Sequence, residues 1–436
     1  MPYLQQILFI VLFVLSVVIF ARKVKQIRRN IRLGQSVQIN GDRKARWRNV
    51  LLLALGQKKM FRNWIPAVLH FFVYAGFIVI NIEILEIILD GITGSHRLFY
   101  PVLGSLYNVL IGCFEILAVL VILGCAIFLF RRNVLHIRRF ENPEMTRWPK
   151  SDANCILIME IILMLLFLTM NTADRALQMH QSPHYVQTGS YWISGFLVPL
   201  FDPLSNNALM ALERGAWWLH ITGILFFMNY LPYSKHFHII LAFPNAYYSP
   251  LTPKGKMTNM PEIQKEVALM LQPDPQQPAE APPERFGARD VPDLSWKNLM
   301  DAYSCTECGR CTAACPANQT GKRLSPRKIM MDARDRAEEI GRSLQKGQPF
   351  AGDGKSLLHD YISVEELRAC TTCNACVEEC PVSINPLDII LQLRRHLVMD
   401  EANAPAEWNA MFSNIETNAA PWKFPADERG KWAGEG

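Results

Sequence analysis

The chain has 436 residues, 50% of them apolar, and a formal net charge of +6. This length has room for two or three domains, and the apolar residues are concentrated in residues 1–245. The basic excess lies beside the apolar segments and accompanies no nucleic-acid-binding motif. We therefore exclude nucleic acid as a partner and attribute the charge to membrane topology.

Five segments are apolar and long enough to cross a bilayer as helices, which takes about 20 residues. They cover residues 4–21, 65–89, 102–130, 153–172 and 210–231. The first segment has no charged residues before it and no small-residue cleavage site, so we predict a retained span rather than a signal peptide. A shorter apolar stretch, residues 191–201, contains Pro199 and predicts an outer-surface or re-entrant piece.

Lysines and arginines are concentrated in two of the intervening loops. Residues 22–62 hold thirteen and residues 131–150 hold six, whereas the opposite loops offer little beyond Arg97 and Arg175. By the positive-inside rule the N-terminus is outside and the chain after the fifth span is cytoplasmic. We therefore predict a multi-pass protein of the inner (cytoplasmic) membrane whose polar half lies in the reducing compartment.

Histidines within or near the spans are candidate haem ligands, because an imidazole in lipid is costly unless it binds something. His70 lies in the second span, and His220 lies in the fifth, eighteen residues before His238. Eighteen residues make five helical turns, so His220 and His238 would share one face while His236 points elsewhere, unless Pro232 disturbs the register. These positions predict axial ligation of b-type haem between helices.

Four carboxylates fall within the predicted spans: Glu83, Glu86, Glu115 and Glu160. Buried carboxylates favour a role in proton transfer at a quinone site, although Glu83 and Glu86 lie near the outer end, where they would instead reach lipid headgroups. Lys235 lies at the cytoplasmic boundary, where it either donates to a quinone carbonyl or anchors a helix end.

The membrane half resembles the cytochrome b (gamma) subunit of respiratory nitrate reductases in its spans, topology and histidines. In that family the second and fifth helices each carry two histidine ligands, but here Ile80 stands ten residues after His70, so one ligand of the set is missing. Matching by position pairs His70 with His238. A depth argument instead pairs His70 with His220 and His136 with His238. The first pairing leaves His220 without a partner and gives one haem b, which we expect, whereas the second pairing would give two.

Beyond the membrane half, a surface helix is predicted around residues 260–271 and a Pro-rich connector over residues 273–292. The predicted domains are a haem-binding membrane domain (1–245), the surface helix and connector (246–295), a two-cluster ferredoxin-like domain (296–400) and an extended, partner-docking tail (401–436).

The polar half is organised around two cysteine runs that repeat one spacing, C-x2-C-x2-C-x3-C-P. Three closely spaced thiolates wrap one face of a 4Fe-4S cluster, and in two-cluster ferredoxins of this spacing the fourth cysteine serves the other cluster. The predicted ligands are Cys305, Cys308, Cys311 and Cys380 for the first cluster and Cys370, Cys373, Cys376 and Cys315 for the second. Structural zinc usually shows paired C-x2-C units, and disulfides are disfavoured in a reducing compartment.

Helix signals surround the cysteine runs. Ser325 followed by proline predicts a helix start, Ser363 and Glu366 predict a capping box that leads into Cys370, and Asn385 followed by proline starts another helix. That last helix carries three residues that we expect to face solvent or a partner: Arg394, Arg395 and His396.

The cluster half resembles the iron-sulfur subunit of heterodisulfide reductases, and the whole chain resembles a fusion of that subunit with the membrane cytochrome of the same enzymes. The resemblance rests on Lys235-His-Phe-His238, the two cysteine runs and the tail motifs Asn418-Ala-Ala-Pro-Trp422 and Arg429-Gly-Lys-Trp432. In longer relatives, including membrane oxidoreductases that take electrons from electron-transfer flavoprotein, a comparable tail leads into a domain with paired adjacent cysteines. No such pair occurs here, so we expect a cytoplasmic cysteine-rich redox subunit, or electron-transfer flavoprotein, as partner.

The predicted fold class is membrane all-α: a five-transmembrane-helix cytochrome b-like bundle followed by a soluble α-helical two-cluster ferredoxin-like domain. The predicted function is electron transfer between a cytoplasmic redox partner and a menaquinone or ubiquinone pool, as a subunit of a quinone-linked oxidoreductase. The alternatives are a quinol-driven heterodisulfide-type reductase subunit and a non-catalytic membrane anchor with structural clusters. A membrane-tethered transcription regulator lacks support, because no DNA-reading motif is present.

Overall fold

The computed structural model describes residues 3–253, 255–257, 259–272, 285–345, 350, 352–425 and 427–434. Within these residues the chain is helical, and the extended pairings are isolated β-bridges. The α-helices are α1 (Leu4–Ile31), α2 (Arg43–Asn49), α3 (Trp64–Thr93), α4 (Tyr100–Leu103), α5 (Ser105–Asn133), α6 (Trp148–Met179), α7 (Ser194–Phe201), α8 (Asn206–Tyr230), α9 (His238–Tyr247), α10 (Pro261–Leu271), α11 (Trp296–Ser304), α12 (Arg310–Ala313), α13 (Pro316–Gln319), α14 (Pro326–Gln345), α15 (Val364–Ala369), α16 (Ala375–Glu379), α17 (Pro386–Met399) and α18 (Ala406–Asn418). Short 3-10 turns lie at Met60–Arg62, Arg138–Phe140, Pro143–Met145, Leu231–Tyr233, Lys235–Phe237, Val291–Asp293 and Lys431–Ala433, and a π-helical turn lies at Val50–Leu55. Leu357–Tyr361 is a kinked turn with non-helical backbone at Leu358 and His359.

Four helices of the described chain are long and apolar enough to cross a membrane: α1, α3, α5 and α6. The predicted fifth span, residues 210–231, forms most of α8, but α8 is not among the four. Glu213 and Arg214 interrupt its first half, so its apolar remainder is shorter than the roughly 20 residues that a span needs. A helical membrane half is thus confirmed, whereas the count of five spans is not.

The membrane helices pack around α6, which lies against α5, α7 and α8, while α1 contacts α3 and α8. Small residues allow close approach, which is a principal source of helix association in lipid. At Gly76 of α3, for example, a Cβ atom would come within 2.5 Å of the Val121 side chain on α5. The stretch predicted as an outer-surface or re-entrant piece contains α7, on which Phe196 and Leu200 are exposed.

The chain between α8 and α9 is not a continuous helix. Pro232 has no amide hydrogen to donate, and the turns Leu231–Tyr233 and Lys235–Phe237 replace regular helix there. Pro232 therefore disturbs the register, and His220 and His238 do not share one helical face, because α8 ends before the turns and His238 begins α9.

The polar half folds around α11, α14 and α17. Its predicted helix starts are confirmed. The Ser325 hydroxyl accepts a hydrogen bond from the Lys328 amide (3.4 Å), Ser363 and Glu366 form a capping box at the start of α15, and Asn385 caps α17. These caps fix where each helix meets a cysteine run.

The surface helix predicted around residues 260–271 is α10. Most of the Pro-rich connector, residues 273–284, lies outside the described residues. The tail does not match the expected extended conformation, because residues 406–418 form α18. This segment contains no glycine or proline and includes good helix formers such as alanine, glutamate and methionine.

The basic end of α1 is packed against the cluster domain. Lys23 forms an ion pair with Glu338 of α14 (3.1 Å), and the Arg29 guanidinium donates to the backbone carbonyl of Gly341 (2.6 Å). The cluster domain therefore rests directly on the membrane helices.

Candidate metal and haem centres

The two cysteine runs share a backbone conformation. Glu307 and Gly309 in the first run have φ values of 53° and 72°, and Thr372 and Asn374 occupy the equivalent positions of the second run with 55° and 62°. Left-handed backbone is costly for residues other than glycine, so its repetition at matched positions indicates one geometric requirement in both loops. Each loop thereby turns tightly enough to place its first three cysteines around one centre.

The structure brings the eight cysteines together in two sets of four. The first set lines one cavity and consists of Cys305, Cys308, Cys311 and Cys380. In the second set, Cys370 and Cys376 each interact electrostatically with Cys315 and Cys373. Each set combines three cysteines of one run with the fourth of the other, the grouping expected of two-cluster ferredoxins. Their role as cluster ligands stays a prediction.

The two sets are neighbours, because Cys376 of the second also interacts electrostatically with Cys311 of the first. Burial raises the pKa of Cys305 and Cys376 to about 12 and that of Cys380 to about 11. Thiols in such surroundings stay neutral unless a metal cation stabilises the thiolate. The pattern fits a metal-binding role better than a role as free nucleophiles.

Backbone amides point at the sulfur atoms. The Thr372 N–H donates to Cys370 Sγ (3.4 Å), and the Ile384 N–H donates to Cys380 Sγ (3.3 Å). Amide donors to sulfur are among the means by which proteins tune the potentials of iron-sulfur clusters, so these residues fit the group. Within the described residues, no three His, Cys, Asp or Glu side chains are close enough to hold a single metal ion.

Two residues expected on the outer face of α17 instead face inward. The Arg394 guanidinium donates to the carbonyl oxygens of Leu367 (2.9 Å) and Cys370, and His396 is buried against Asp400 (2.9 Å). The prediction for Arg394 and His396 was wrong, because Arg394 donates to carbonyls where α15 ends and His396 pairs with Asp400. Arg394 therefore clamps the loop that begins at Cys370.

Three histidines meet where α3 approaches the 3-10 turns. His70 interacts electrostatically with His238, and the rings of His236 and His238 lie 5.5 Å apart. His236 was expected to point elsewhere, but the turn Lys235–Phe237 brings it to the same side. The structure thus favours pairing His70 with His238 over the pairing by depth.

The hydrogen bonds of these histidines fix their tautomers. Nδ1 of His70 lies 3.0 Å from Gln57 Oε1, and Nδ1 of His238 lies 3.1 Å from the Lys235 carbonyl oxygen. The Lys235 carbonyl only accepts hydrogen bonds, so Nδ1 of His238 carries the proton and its Nε2 keeps its lone pair, and the Gln57 amide oxygen beside His70 matches the same tautomer. A hydrogen bond that holds the second ring nitrogen in this way is typical of histidines that bind a metal. Residues 70 and 238 therefore fit haem ligation.

The other two candidates lie elsewhere. His220 is buried, with Nδ1 2.9 Å from the Leu163 carbonyl and its ring against Phe167. His136 is 73% exposed at its side chain and pairs with Glu141 (2.6 Å). The structure therefore does not bring His136 to His238.

Ion pairs join the first cysteine loop to the membrane half. Glu307, between Cys305 and Cys308, accepts from Lys235 (2.5 Å) and from Arg334 of α14 (2.8 Å). Burial disfavours the Glu307 carboxylate, but Arg334 and Lys235 outweigh it and hold its pKa below the usual range. Sequence reasoning missed Glu307, because its partners come from distant segments.

A second joint lies at Cys380, the fourth cysteine of the first set. The Lys59 ammonium donates to the Cys380 carbonyl (3.0 Å), and Arg310, beside Cys311, donates to the Lys59 carbonyl (3.2 Å). The first cysteine set therefore meets the membrane half at two places, Glu307 and Cys380.

A buried polar network lies toward the other end of the bundle. Arg97 pairs with Asp174 (2.9 Å) and Glu83 (3.3 Å), while Glu86 accepts from the Tyr107 hydroxyl (2.8 Å). Glu83 and Glu86 are 1% and 2% exposed, so they do not reach lipid headgroups.

Glu115 accepts from the Ile193 amide (2.8 Å), and Glu160 is also buried. Arg97, expected only as a loop residue, is the centre of this network.

Comparisons with known proteins agree with the cysteine geometry. The family model for a 4Fe-4S dicluster domain matches residues 304–384. A subunit of the ferredoxin/F(420)H(2)-dependent CoB-CoM heterodisulfide reductase of Methanosarcina acetivorans is 36% identical over 24% of this chain and 52% of its own length. The predicted resemblance to a heterodisulfide reductase subunit is thereby confirmed.

Two relatives align with most of the chain. The probable iron-sulfur-binding oxidoreductase FadF of Bacillus subtilis is 27% identical over 98% of this chain, and the EtfAB:quinone oxidoreductase of Syntrophomonas wolfei is 26% identical over 88%. The chain spans 61% and 53% of the length of these relatives. No solved structure matches the chain, and the likeness to nitrate reductase cytochrome b stays a prediction.

Proposed function

We propose that this chain is a membrane-anchored electron-transfer protein that carries electrons between a cytoplasmic redox partner and a menaquinone or ubiquinone pool. The observation that carries the proposal is the joint around Glu307. It places a cysteine set that fits a 4Fe-4S cluster beside Lys235, three residues before His238. A candidate cluster and a candidate haem site therefore adjoin across the boundary of the two halves.

The order of the centres follows from these contacts. The first cysteine set faces the membrane half through Glu307 and Cys380, whereas Cys373 of the second set is exposed. The second cluster would then exchange electrons with the soluble partner, and the first would exchange them with the haem. The electrostatic interaction between Cys311 and Cys376 indicates that the two sets are neighbours, which supports transfer between the two clusters.

The haem would be held by His70 and His238, whose Nε2 atoms are available as ligands. Bound there, haem b supplies a one-electron carrier between the clusters and the quinone. Reduction of a quinone to a quinol takes two electrons and two protons, so the protein must deliver both electrons and protons to the bound quinone. The partner that fits is a cytoplasmic cysteine-rich subunit or, as the name of the Syntrophomonas relative indicates for that protein, electron-transfer flavoprotein.

The test is the cofactor content of the purified full-length chain. We expect two 4Fe-4S clusters by iron analysis and electron paramagnetic resonance, and one haem b by its Soret band. His70→Ala should abolish the Soret band, whereas the exposed His136→Ala, the matched control, should retain it. An anchor with structural clusters instead predicts no Soret band in the wild type and no spectral change in His70→Ala.

In a second candidate function, electrons flow in the opposite direction, from a quinol to the soluble partner. The likeness to a heterodisulfide reductase subunit favours a disulfide-type acceptor, for which a quinol would be the donor in this chain, whereas the likeness to the EtfAB:quinone oxidoreductase favours flow toward quinone. Adding a quinol to the oxidised protein, or reduced flavoprotein in a parallel sample, and following reduction of the clusters separates the two.

A further inference from the structure

A cavity of about 640 Å³ lies where the basic end of α1 meets α9 and α11. Its walls are mostly apolar and include Ile27, Phe237, Leu241 and Met300. The cavity therefore opens between the membrane helices and the cluster domain, next to the helix that leads into Cys305.

Two arginines line this cavity, Arg28 and Arg32, one helical turn apart on α1. Both are exposed, and in the described part of the chain neither forms an ion pair or side-chain hydrogen bond. The neighbouring Lys23 and Arg29, by contrast, do have partners, because both bind the cluster domain. The structure thus leaves two guanidinium groups free beside an apolar space.

The depth of Arg28 matches the lipid headgroups. Arg28 follows the apolar stretch 4–21 by seven residues, or about 10 Å at about 1.5 Å per residue. The polar layer of a bilayer is roughly 5–8 Å thick on each side, and helical side chains point back toward the N-terminus. The guanidinium of Arg28 therefore returns to headgroup level.

We propose that this cavity binds an anionic phospholipid. The phosphate pairs with Arg28 and Arg32, and an acyl chain lies along Ile27, Phe237 and Leu241. Basic pockets between membrane helices bind such headgroups, and guanidinium matches phosphate in shape and charge. A quinone ring is neutral and gains little from two cations, so the charge favours a phospholipid.

The proposed lipid joins the two halves of the protein. Its contacts on α1 and α9 belong to the membrane domain, whereas Met300 belongs to α11, which ends at the first cysteine run. An anionic lipid would therefore stabilise the docking of the cluster domain in addition to the ion pairs already formed there.

The experiment is native mass spectrometry of the full-length protein from nanodiscs of phosphatidylcholine with and without phosphatidylglycerol. We expect the wild type to retain one phosphatidylglycerol, and Arg28→Gln with Arg32→Gln to weaken retention roughly 10- to 30-fold, at about 1 kcal/mol per arginine. Arg22→Gln with Lys25→Gln is the matched control, because these exposed residues of α1 lie outside the cavity lining, and it should retain the lipid.

A conservative double variant, Arg28→Lys with Arg32→Lys, guards against misfolding and should keep most of the binding. Thermal unfolding should also shift upward with phosphatidylglycerol in the wild type and the control, but not in the glutamine variant. Equal retention in the glutamine variant and the wild type, equal retention of phosphatidylcholine, or displacement of the lipid by a quinone analogue would each overturn the proposal.

Discussion

Replacing Glu307 with glutamine tests the joint between the first cysteine loop and the membrane half. Glu307 is 4% exposed and pairs with both Lys235 and Arg334. Removing one partner of a buried ion pair costs about 3–5 kcal/mol when the other charge stays buried. Glutamine keeps one acceptor oxygen, and Asp152 still lies 3.9 Å from Lys235, so we expect a loss of about 2–3 kcal/mol.

The assay is urea unfolding followed by the visible absorbance of the clusters, together with the rate at which reduced clusters transfer electrons to the haem. The control is Glu338→Gln, which breaks the pair with Lys23 at the same interface but lies outside both cysteine loops. The Glu338 side chain is 24% exposed, more than that of Glu307, so its loss should cost less, about 1–2 kcal/mol, and leave the cluster signals unchanged. If both variants lose the same stability and transfer electrons at the wild-type rate, Glu307 has no special role in the joint.

Three further predictions concern the cofactor sites. Cys380→Ser should remove the paramagnetic signal of the cluster held by the first run, and Cys315→Ser that of the second; loss of the opposite signals would show that each run binds its own cluster. Arg394→Ala should destabilise the second cluster by about 1–2 kcal/mol, because the carbonyls of Leu367 and Cys370 lose the guanidinium donor, and iron release during dialysis measures this. Zinc added in place of iron during reconstitution should give no cluster absorbance and no electron transfer to the haem, whereas electron transfer at the wild-type rate in the zinc-loaded protein would contradict the cluster assignment.

Local signals were sufficient for much of the fold. Apolar length predicted the four spans, and the serines at positions 325 and 363 predicted the starts of α14 and α15, since a cap depends only on residues within one turn. The cysteine spacing likewise predicted a two-cluster domain, which the family match over residues 304–384 bears out.

Features that depend on distant partners were not predictable. Arg394 binds carbonyls of α15, and Glu307 binds Lys235 from the membrane half, contacts that no periodicity encodes. The helical register failed at Pro232, because a proline predicts a break but not the turns that follow it. As a result, His236 joined the histidine cluster against expectation.

The most direct measurement is reoxidation of the reduced clusters by a quinone analogue in proteoliposomes. In the wild type we expect the analogue to oxidise both 4Fe-4S clusters through haem b, and in His70→Ala we expect the clusters to stay reduced. Reoxidation at the same rate in both proteins, or a wild type that contains no haem, would contradict a continuous path from the cysteine runs into the membrane.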